Sequence, residues 1–526
     1  MKKIVVFLLA LATAFSLVGC KPPAVEDTET NVIIEMYSQG YGSDVMNAWA
    51  RRFEEKNEGV TVTVIPNPTL LDQAVQSKLG LGVKNPVDIF FSATLNFRDI
   101  IDKGPSYLQG YDYETAFADL SDVYDTVIDA SVPGDNKKVK KKMHPNYIEH
   151  YTMNGKQYAM PYISEPNGFV YNADFFEENG WTIPRTTNEM IELVTKISEE
   201  GYTPFVWPGQ AGYWNYPVMT WWAQYEGEQG MADFWSGKDR YGSYSAEIFR
   251  QYGREAAFKV MEDLVYREKN SFPGSIEFTN DSAQMEFYKE ANKIVMMPSG
   301  GWLENEMKLS GYEPGSLNVG IMKTPVLSDV LQKDTVDPET GDIQFAPRFK
   351  TITTEGQLRE LIKLIDEEKP CPNGVDPDEY AQLAAIRNYS YSTGLEFAAT
   401  IPAYSNAMEY AKKFLVFTAS DEASQILYDM IGGTMPYYSN VQRKENETTF
   451  TKTKLDIAEN ARYVSSLDAT TKLFYKTDLK FFMSGMEAIG NPSESDSMRA
   501  DELIKEQFDL VQASWSTHYA SFVGQM

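Results

Sequence analysis

Short apolar runs alternate with helix-like periods through the first hundred residues. Val32-Ile33-Ile34-Glu35-Met36-Tyr37 reads as a strand, followed by a loop through Ser38-Gln39-Gly40-Tyr41-Gly42. Ser43 or Asp44 can cap the next helix, in which Val45, Trp49 and Phe53 recur every four residues on one face until Gly59 stops it. Val60 to Ile65 then predicts a second strand, Leu70 to Leu79 a second helix and Val87 to Phe91 a third strand. Such alternation implies an α/β architecture whose parallel sheet is covered on both faces. Ligands of these sheets sit beyond the carboxyl ends of the strands, which points to Ser38, Asn67 and Ser92.

Further along, Asn154-Gly155 is a strong two-residue hairpin signal. Thr186 and Glu189 have capping-box spacing ahead of a helix with an apolar face of Met190, Ile191, Val194 and Ile197. Glu165 lies in the apolar context Pro161-Tyr162-Ile163-Ser164-Glu165-Pro166, where an acidic residue either pairs with a cation or faces a cleft. The stretch around which the chain is organised is Ile294-Val295-Met296-Met297-Pro298-Ser299-Gly300-Gly301-Trp302. An apolar strand there runs into two glycines, which let the backbone turn and present a large flat ring.

The N-terminus changes the picture. Lys2 and Lys3 precede an apolar run from Ile4 to Val18, too short to span a bilayer comfortably, that ends in Leu17-Val18-Gly19-Cys20. Residues 1–20 therefore read as a signal peptide with a lipobox, and Cys20 as the site of diacylglycerol attachment that anchors the mature chain to a membrane it does not cross. Residues 21–31 are polar and Pro-containing and serve as a tether. With Cys371 the only other cysteine, no internal disulfide is expected. A formal net charge of −27 argues against nucleic-acid binding, and the one basic run, Lys137 to Lys142, reads as a solvated loop.

Several ordered blocks carry a resemblance. Phe287 to Trp302 resembles the "F..GKAAM..SG.W" segment of extracellular solute-binding proteins of ABC importers, the sugar-binding family 1. Gly155 to Gly180 resembles that family's "GK.YG.P.......YN.D.F...G", Asn318 to Pro325 its "..VG..P.P", and Gly394 to Phe417 its "G.....I...SKN.E.A..F..F" helix, in which Asn406 is the expected cap. The resemblance implies a two-lobed, type II periplasmic-binding-protein fold with the ligand cleft between lobes joined by a multi-strand hinge. It places the first lobe at 32–160 and 395–430, the second at 163–394 and 431–526, and the hinge at Met160 to Tyr162. Residues from about 328 to 392 depart from the pattern and read as an inserted surface excursion at the cleft rim.

The function implied is capture of a carbohydrate, an oligosaccharide, by a monomeric, membrane-anchored receptor that delivers it to an ABC permease without chemistry, cofactor or metal. Sugars lay their apolar face on aromatic rings, and nine tryptophans are available, four of them between Pro204 and Trp222. Ser38, Asn67, Ser92, Glu165, Trp214, Trp221, Gly301 and Trp302 are the expected ligand contacts, with Trp214 and Trp221 as stacking platforms. The alternative is a secreted, lipid-anchored glycoside hydrolase, which needs two opposed carboxyl groups; no recognisable hydrolase block surrounds any of the 75 acidic residues. His144, His150 and His518 sit in no Ser or metal motif.

Overall fold

Six successive buried residues, Asn31 to Met36, form a strand that has no solvent face, as a central strand covered on both sides requires. The structure is a computed structural model and describes residues 26–104, 114–128, 137–337, 343–465, 472–475 and 479–523; the expected signal peptide and Cys20 attachment site lie outside them. In chain order the strands of its two main sheets are β1 (Asn31–Tyr37), β2 (Thr61–Asn67), β3 (Ile89–Ala93), β4 (Met160–Pro161), β5 (Pro166–Asn172), β6 (Thr203–Phe205), β7 (Ile294–Gly300), β8 (Val319–Met322), β9 (Tyr389–Ser392), β10 (Phe397–Thr400) and β11 (Arg462–Val464).

The first sheet has the order β2-β1-β3-β10-β4, with β1 parallel to β2 and β3, and β10 antiparallel to β3 and β4. The second has the order β11-β9-β5-β7-β6, with β8 also paired to β5. Each sheet carries its own core. Ile34, Trp49, Phe53 and Phe414 belong to the first, and Phe169, Phe205, Trp221 and Met296 to the second. These are two α/β lobes, and among the described residues the chain passes between them three times. Tyr162 to Glu165 links β4 to β5, Thr393 to Glu396 links β9 to β10, and residues 432–448 join the helix Asp421–Ile431 to the helix Thr449–Ala458.

The passages are tied together. Tyr147 Oη donates to Ser164 Oγ at 2.6 Å, Ser164 N to Thr434 O at 3.1 Å, and Tyr437 Oη to Pro161 O at 2.9 Å. Met435 and Tyr437 remain in the first lobe's core, so the last passage leaves that lobe later than residue 431. Parallel connections, two of them only four residues long, make a hinge, because rotation is absorbed at a handful of dihedrals while both cores stay rigid.

Local expectations can be compared with the backbone. Thr152–Met153 pairs with Lys156–Gln157 around Asn154 and Gly155, whose φ values of 52° and 76° are those of the tight hairpin turn. Thr186 and Glu189 form the full capping box. Asn406, by contrast, does not cap its helix. Its amide donates to Asp27 O, and the helix entrance is held instead by Asp88, whose carboxylate accepts from Ser405 Oγ at 2.6 Å and Ala407 N at 3.1 Å while also accepting from Ile33 N at 2.9 Å. The inserted region is no surface excursion either. Its helices Glu355–Asp366 and Pro377–Arg387 bury Leu358, Ile362 and Leu383 in the second lobe's core, and β9 at its end is an interior strand of the second sheet. The basic run is folded in as well: Lys138 and Lys140 pair with Asp125, and buried Lys142 pairs with Asp421.

Asp88→Ala leaves two backbone donors and one hydroxyl without an acceptor in a buried place. Chemical denaturation is expected to show a loss of about 3 kcal/mol, with Asp88→Asn losing less.

Candidate functional site

Strand β7 is buried along its whole length and delivers Gly300, Gly301 and Trp302 to the space between the lobes. Neither glycine has a positive φ, so the expected sharp turn is not what demands them. Space demands them. A Cβ on Gly300 would lie 2.1 Å from Asn167 Nδ2 and 2.4 Å from the Trp302 ring, and one on Gly301 would lie 2.5 Å from Glu165 Oε2. The glycines therefore let Asn167 and Glu165, at the start of β5, pack directly against the backbone of β7's end.

Trp302 precedes the helix Leu303–Leu309 and is ringed by tyrosines from both lobes. Tyr41, on the loop after β1, meets it edge-on with centroids 6.4 Å apart; Tyr213 and Tyr216, at the start of the long helix Asn215–Ser236, stand 5.9 and 6.2 Å away. Phe397 and Tyr391 extend the cluster, touching Tyr41 and Tyr216 respectively. The lobes also meet through Asn305 Nδ2, which donates to Gly40 O at 2.6 Å. As a result Trp302 is only 7% exposed, and Tyr41 and Gly40 of the first lobe supply part of its cover.

Beneath the aromatic ring lies an ion pair. Glu165 Oε1 accepts from Lys454 Nζ at 2.7 Å with both side chains 1% exposed, and Lys454 also donates to Gly301 O at 3.0 Å. Lys454 is a residue that sequence reasoning missed. A signal existed: in the helix Thr449–Ala458 it falls four residues after Phe450 and three before Ile457, on the apolar stripe, where a lysine needs a buried partner.

Two further carboxylates face the cluster. Glu306 Oε2 accepts from Asn280 Nδ2 at 2.9 Å and Gln284 Nε2 at 2.6 Å, yet its burial still raises its pKa. Glu396, on the second passage between the lobes, is pushed up to about 7 by burial. Both were unremarked in the sequence, although Glu396 interrupts the apolar run Leu395 to Ala399. Burial, reinforced by these carboxylates and by Glu165, holds Tyr41, Tyr213 and Tyr216 far above the ordinary phenol range. Their hydroxyls thus remain neutral and able to donate throughout the physiological range. The site combines aromatic surface with neutral hydroxyls and carboxylate acceptors, which suits a ligand with an apolar face and a hydroxyl-bearing edge.

The expected residues divide into two groups. Glu165, Gly301 and Trp302 come together at the centre. Ser38 and Asn67 lie at adjacent strand ends on the first lobe, joined through Ser38 N and Asn67 O at 3.3 Å, and the Asn67 amide is engaged with Glu35 Oε1. Ser92 is fully buried, its hydroxyl donating to Ala398 O, because it points into the sheet where β3 pairs with β10. Trp214 and Trp221 are corrections too. Trp214 packs against Phe169 and Phe205, while Trp221 lies on Phe169 and donates its Nε1–H to Pro325 O at 3.0 Å, so neither ring offers a face to a ligand. The rings that meet Trp302 from this part of the chain are those of Tyr213 and Tyr216, just before and in the first turn of the helix.

Two lobes hinged around an aromatic cleft define the substrate-binding-protein class. Solved structures agree on the fold: the chain superposes on a chitin oligosaccharide binding protein with a TM-score of 0.58 at 15% identity, over 94% of this chain and 100% of the other. It also superposes on apo RafE from Streptococcus pneumoniae with a TM-score of 0.54 at 17% identity, over 88% and 98%. The family follows from sequence. Residues 38–425 match the model of the bacterial extracellular solute-binding proteins, and the chain belongs to that family. Among characterised relatives it is 25% identical over 314 residues to the diacetylchitobiose binding protein NgcE of Streptomyces coelicolor, a match spanning 55% of this chain and 61% of that protein. It is 34% identical over 68 residues to the multiple sugar-binding protein of Streptococcus mutans, spanning 13% of this chain and 16% of that one.

Two measurements follow from the electrostatics. Lys454→Met leaves Glu165 buried and uncompensated, and is expected to cost about 3 to 5 kcal/mol in denaturant unfolding, with the double replacement Glu165→Gln/Lys454→Met recovering most of it. Because the Glu396 pKa is raised in the folded state, its contribution to stability is lost as pH rises from the ordinary carboxyl range to about 7. Glu396→Gln should therefore gain stability relative to the parent across that window, and the gain should level off above pH 7 in melting curves.

Proposed function

We propose that the protein captures a carbohydrate in the cleft between its lobes, while Cys20 anchors it by diacylglycerol to the outer face of a bacterial membrane, and that it delivers the sugar to an ABC permease. The observation that carries this reading is the aromatic ring around Trp302, built by both lobes and bordered by Glu165, Glu306 and Glu396. A pyranose presents C–H groups to such rings and hydroxyls to such carboxylates. The family is extracellular and solute-binding, and NgcE and the multiple sugar-binding protein are named for sugars, which supports the same class of ligand here.

The mechanism is a population shift. Sugar seated on Trp302, Tyr213 and Tyr216 gains its contacts to Tyr41 and the first lobe only when the lobes close, so bound ligand favours closure and the closed form is what the permease reads. Glu165 is a hydroxyl acceptor in this scheme: Lys454 takes one carboxylate oxygen, and the other, which interacts with the Tyr41 hydroxyl of the first lobe, is the one left for a sugar hydroxyl when the lobes part. Ser38 and Asn67 supply the first-lobe edge.

A thermal-shift screen of the chain starting after Cys20 against mono- and oligosaccharides tests the reading. A sugar at 100 times its Kd should add about 2.7 kcal/mol of stability and be recovered intact. Trp302→Ala should lose about 2 to 3 kcal/mol of binding free energy in calorimetry. Cleaved sugar would favour the hydrolase instead, and no response across the panel would remove the carbohydrate assignment.

A further inference from the structure

The three passages between the lobes converge on one buried residue. Ser164 lies in the first passage, 2% exposed, and its backbone ties it to the third: its N–H donates to Thr434 O at 3.1 Å and its carbonyl accepts from Thr434 Oγ1. Its hydroxyl accepts from Tyr147 Oη of the first lobe at 2.6 Å and directs its own proton at Tyr463 Oη, which stands on β11 of the second lobe. The second passage supplies the seat. Gly394 has no positive φ, and what demands a glycine there is again space. A Cβ would fall on the Tyr147 hydroxyl and lie 3.0 Å from Ser164 Oγ and 3.1 Å from Ile163 O.

Tyr147 has little freedom to move aside. It is fully buried in the first lobe's core on the helix Pro145–Tyr151, and His144, the residue before that helix, donates its N–H to Pro436 O of the third passage at 3.1 Å. The short first-lobe segment from His144 to Tyr147 thus touches all three passages. A relay of hydroxyls, Tyr147 to Ser164 to Tyr463, runs from one lobe to the other through the point where they meet. Turning the lobes changes the angle between the two phenols about Ser164. Hydrogen bonds weaken steeply away from their favoured directions, so the relay is complete only over a narrow range of lobe angles, and outside it buried hydroxyls lose their partners.

We propose that this relay, seated on Gly394, is a latch that favours the closed angle of the lobes, the one at which Tyr41 meets Trp302. It rests on the hinge reading of the passages and on no property of the ligand. The tendency of the lobes to close is then set by hydroxyls that belong to no ring of the Trp302 cluster.

The test traps the closed form covalently. Gln39→Cys and Asn305→Cys, placed where Gly40 O meets the Asn305 side chain across the lobes, are bridged by a short bis-maleimide in a chain carrying Cys20→Ser and Cys371→Ser, and the bridging rate reports the closed fraction. Relative to that parent, Tyr147→Phe and Ser164→Ala should each slow bridging about threefold and Gly394→Ala about tenfold, with denaturant midpoints showing that the lobes remain folded. Gly394→Ala/Tyr147→Phe should bridge at the rate of Tyr147→Phe alone, because without the phenol oxygen the new methyl group has room. An unchanged rate in Tyr147→Phe or Ser164→Ala, or a double variant as slow as Gly394→Ala, would overturn the latch, as would a parent that never bridges. A Gly394→Ala chain that does not fold leaves the two hydroxyl deletions to decide. No sugar enters the assay, so none of these outcomes touches the carbohydrate reading, which the thermal-shift screen decides separately.

Discussion

The buried contact between Lys454 and Glu165 is the constraint on which the site depends. An ammonium and a carboxylate withdrawn from water are tolerable only together, so the pair fixes where their two segments sit relative to each other. Glu165 ends the first passage between the lobes, Lys454 stands on the first helix after the last passage, and the third partner, Gly301 O, is the end of β7. Three pieces of chain separated by well over a hundred residues are locked at one point, directly under Trp302. The paired glycines make that possible, since any side chain at 300 or 301 would displace Asn167 or Glu165.

Above this fixed floor the arrangement is divided. Trp302, Tyr213 and Tyr216 move as one body with the second lobe, whereas Tyr41 and Gly40 belong to the first. The contacts between the two sets are an edge-on aromatic meeting and one amide hydrogen bond. Such contacts are each worth on the order of 1 kcal/mol, which is small enough for a ligand with groups for both sides to outcompete them. Two of the passages between lobes are only four residues long, and the first is hydrogen-bonded to the third through Ser164 and Thr434, so the motion available is rotation of intact lobes rather than local unfolding.

Much of this was legible in the sequence, and the boundary of legibility has a physical cause. Periodicity reports which face of an element is buried, so the strands and helices of the first lobe, the Asn154-Gly155 hairpin and the Thr186 capping box could be read directly. It does not report what an element is buried against. Trp214 and Trp221 lie close in sequence to Tyr213 and Tyr216 at one helix start, and only the packing of that helix on Phe169 decides that the tryptophans meet Phe169 and the tyrosines meet Trp302. The insertion was misread for the same reason, because the amphipathic helix at Glu355–Asp366 shows an apolar face whether that face meets the core or a partner. Glu165 was readable as a residue in need of an explanation, and the explanation, Lys454, lies 289 positions away.

The charge distribution narrows the ligand further. A chain with a formal charge of −27 also places Glu306 and Glu396 beside its aromatic cleft, with Lys454 already committed to Glu165. Burial raises the pKa of both carboxyls, so a charge is costly to hold there. An anionic solute entering there would meet the same penalty and find no free cation among the groups that form the site. A neutral, hydroxyl-rich solute meets no such penalty: it can donate to Glu396 and Glu306 in their charged form and accept from them when protonated. A buried cleft of this make-up disfavours acids by desolvation, and its neutral hydroxyls, carboxyls and aromatic rings suit a hydroxyl-bearing solute with a flat apolar face.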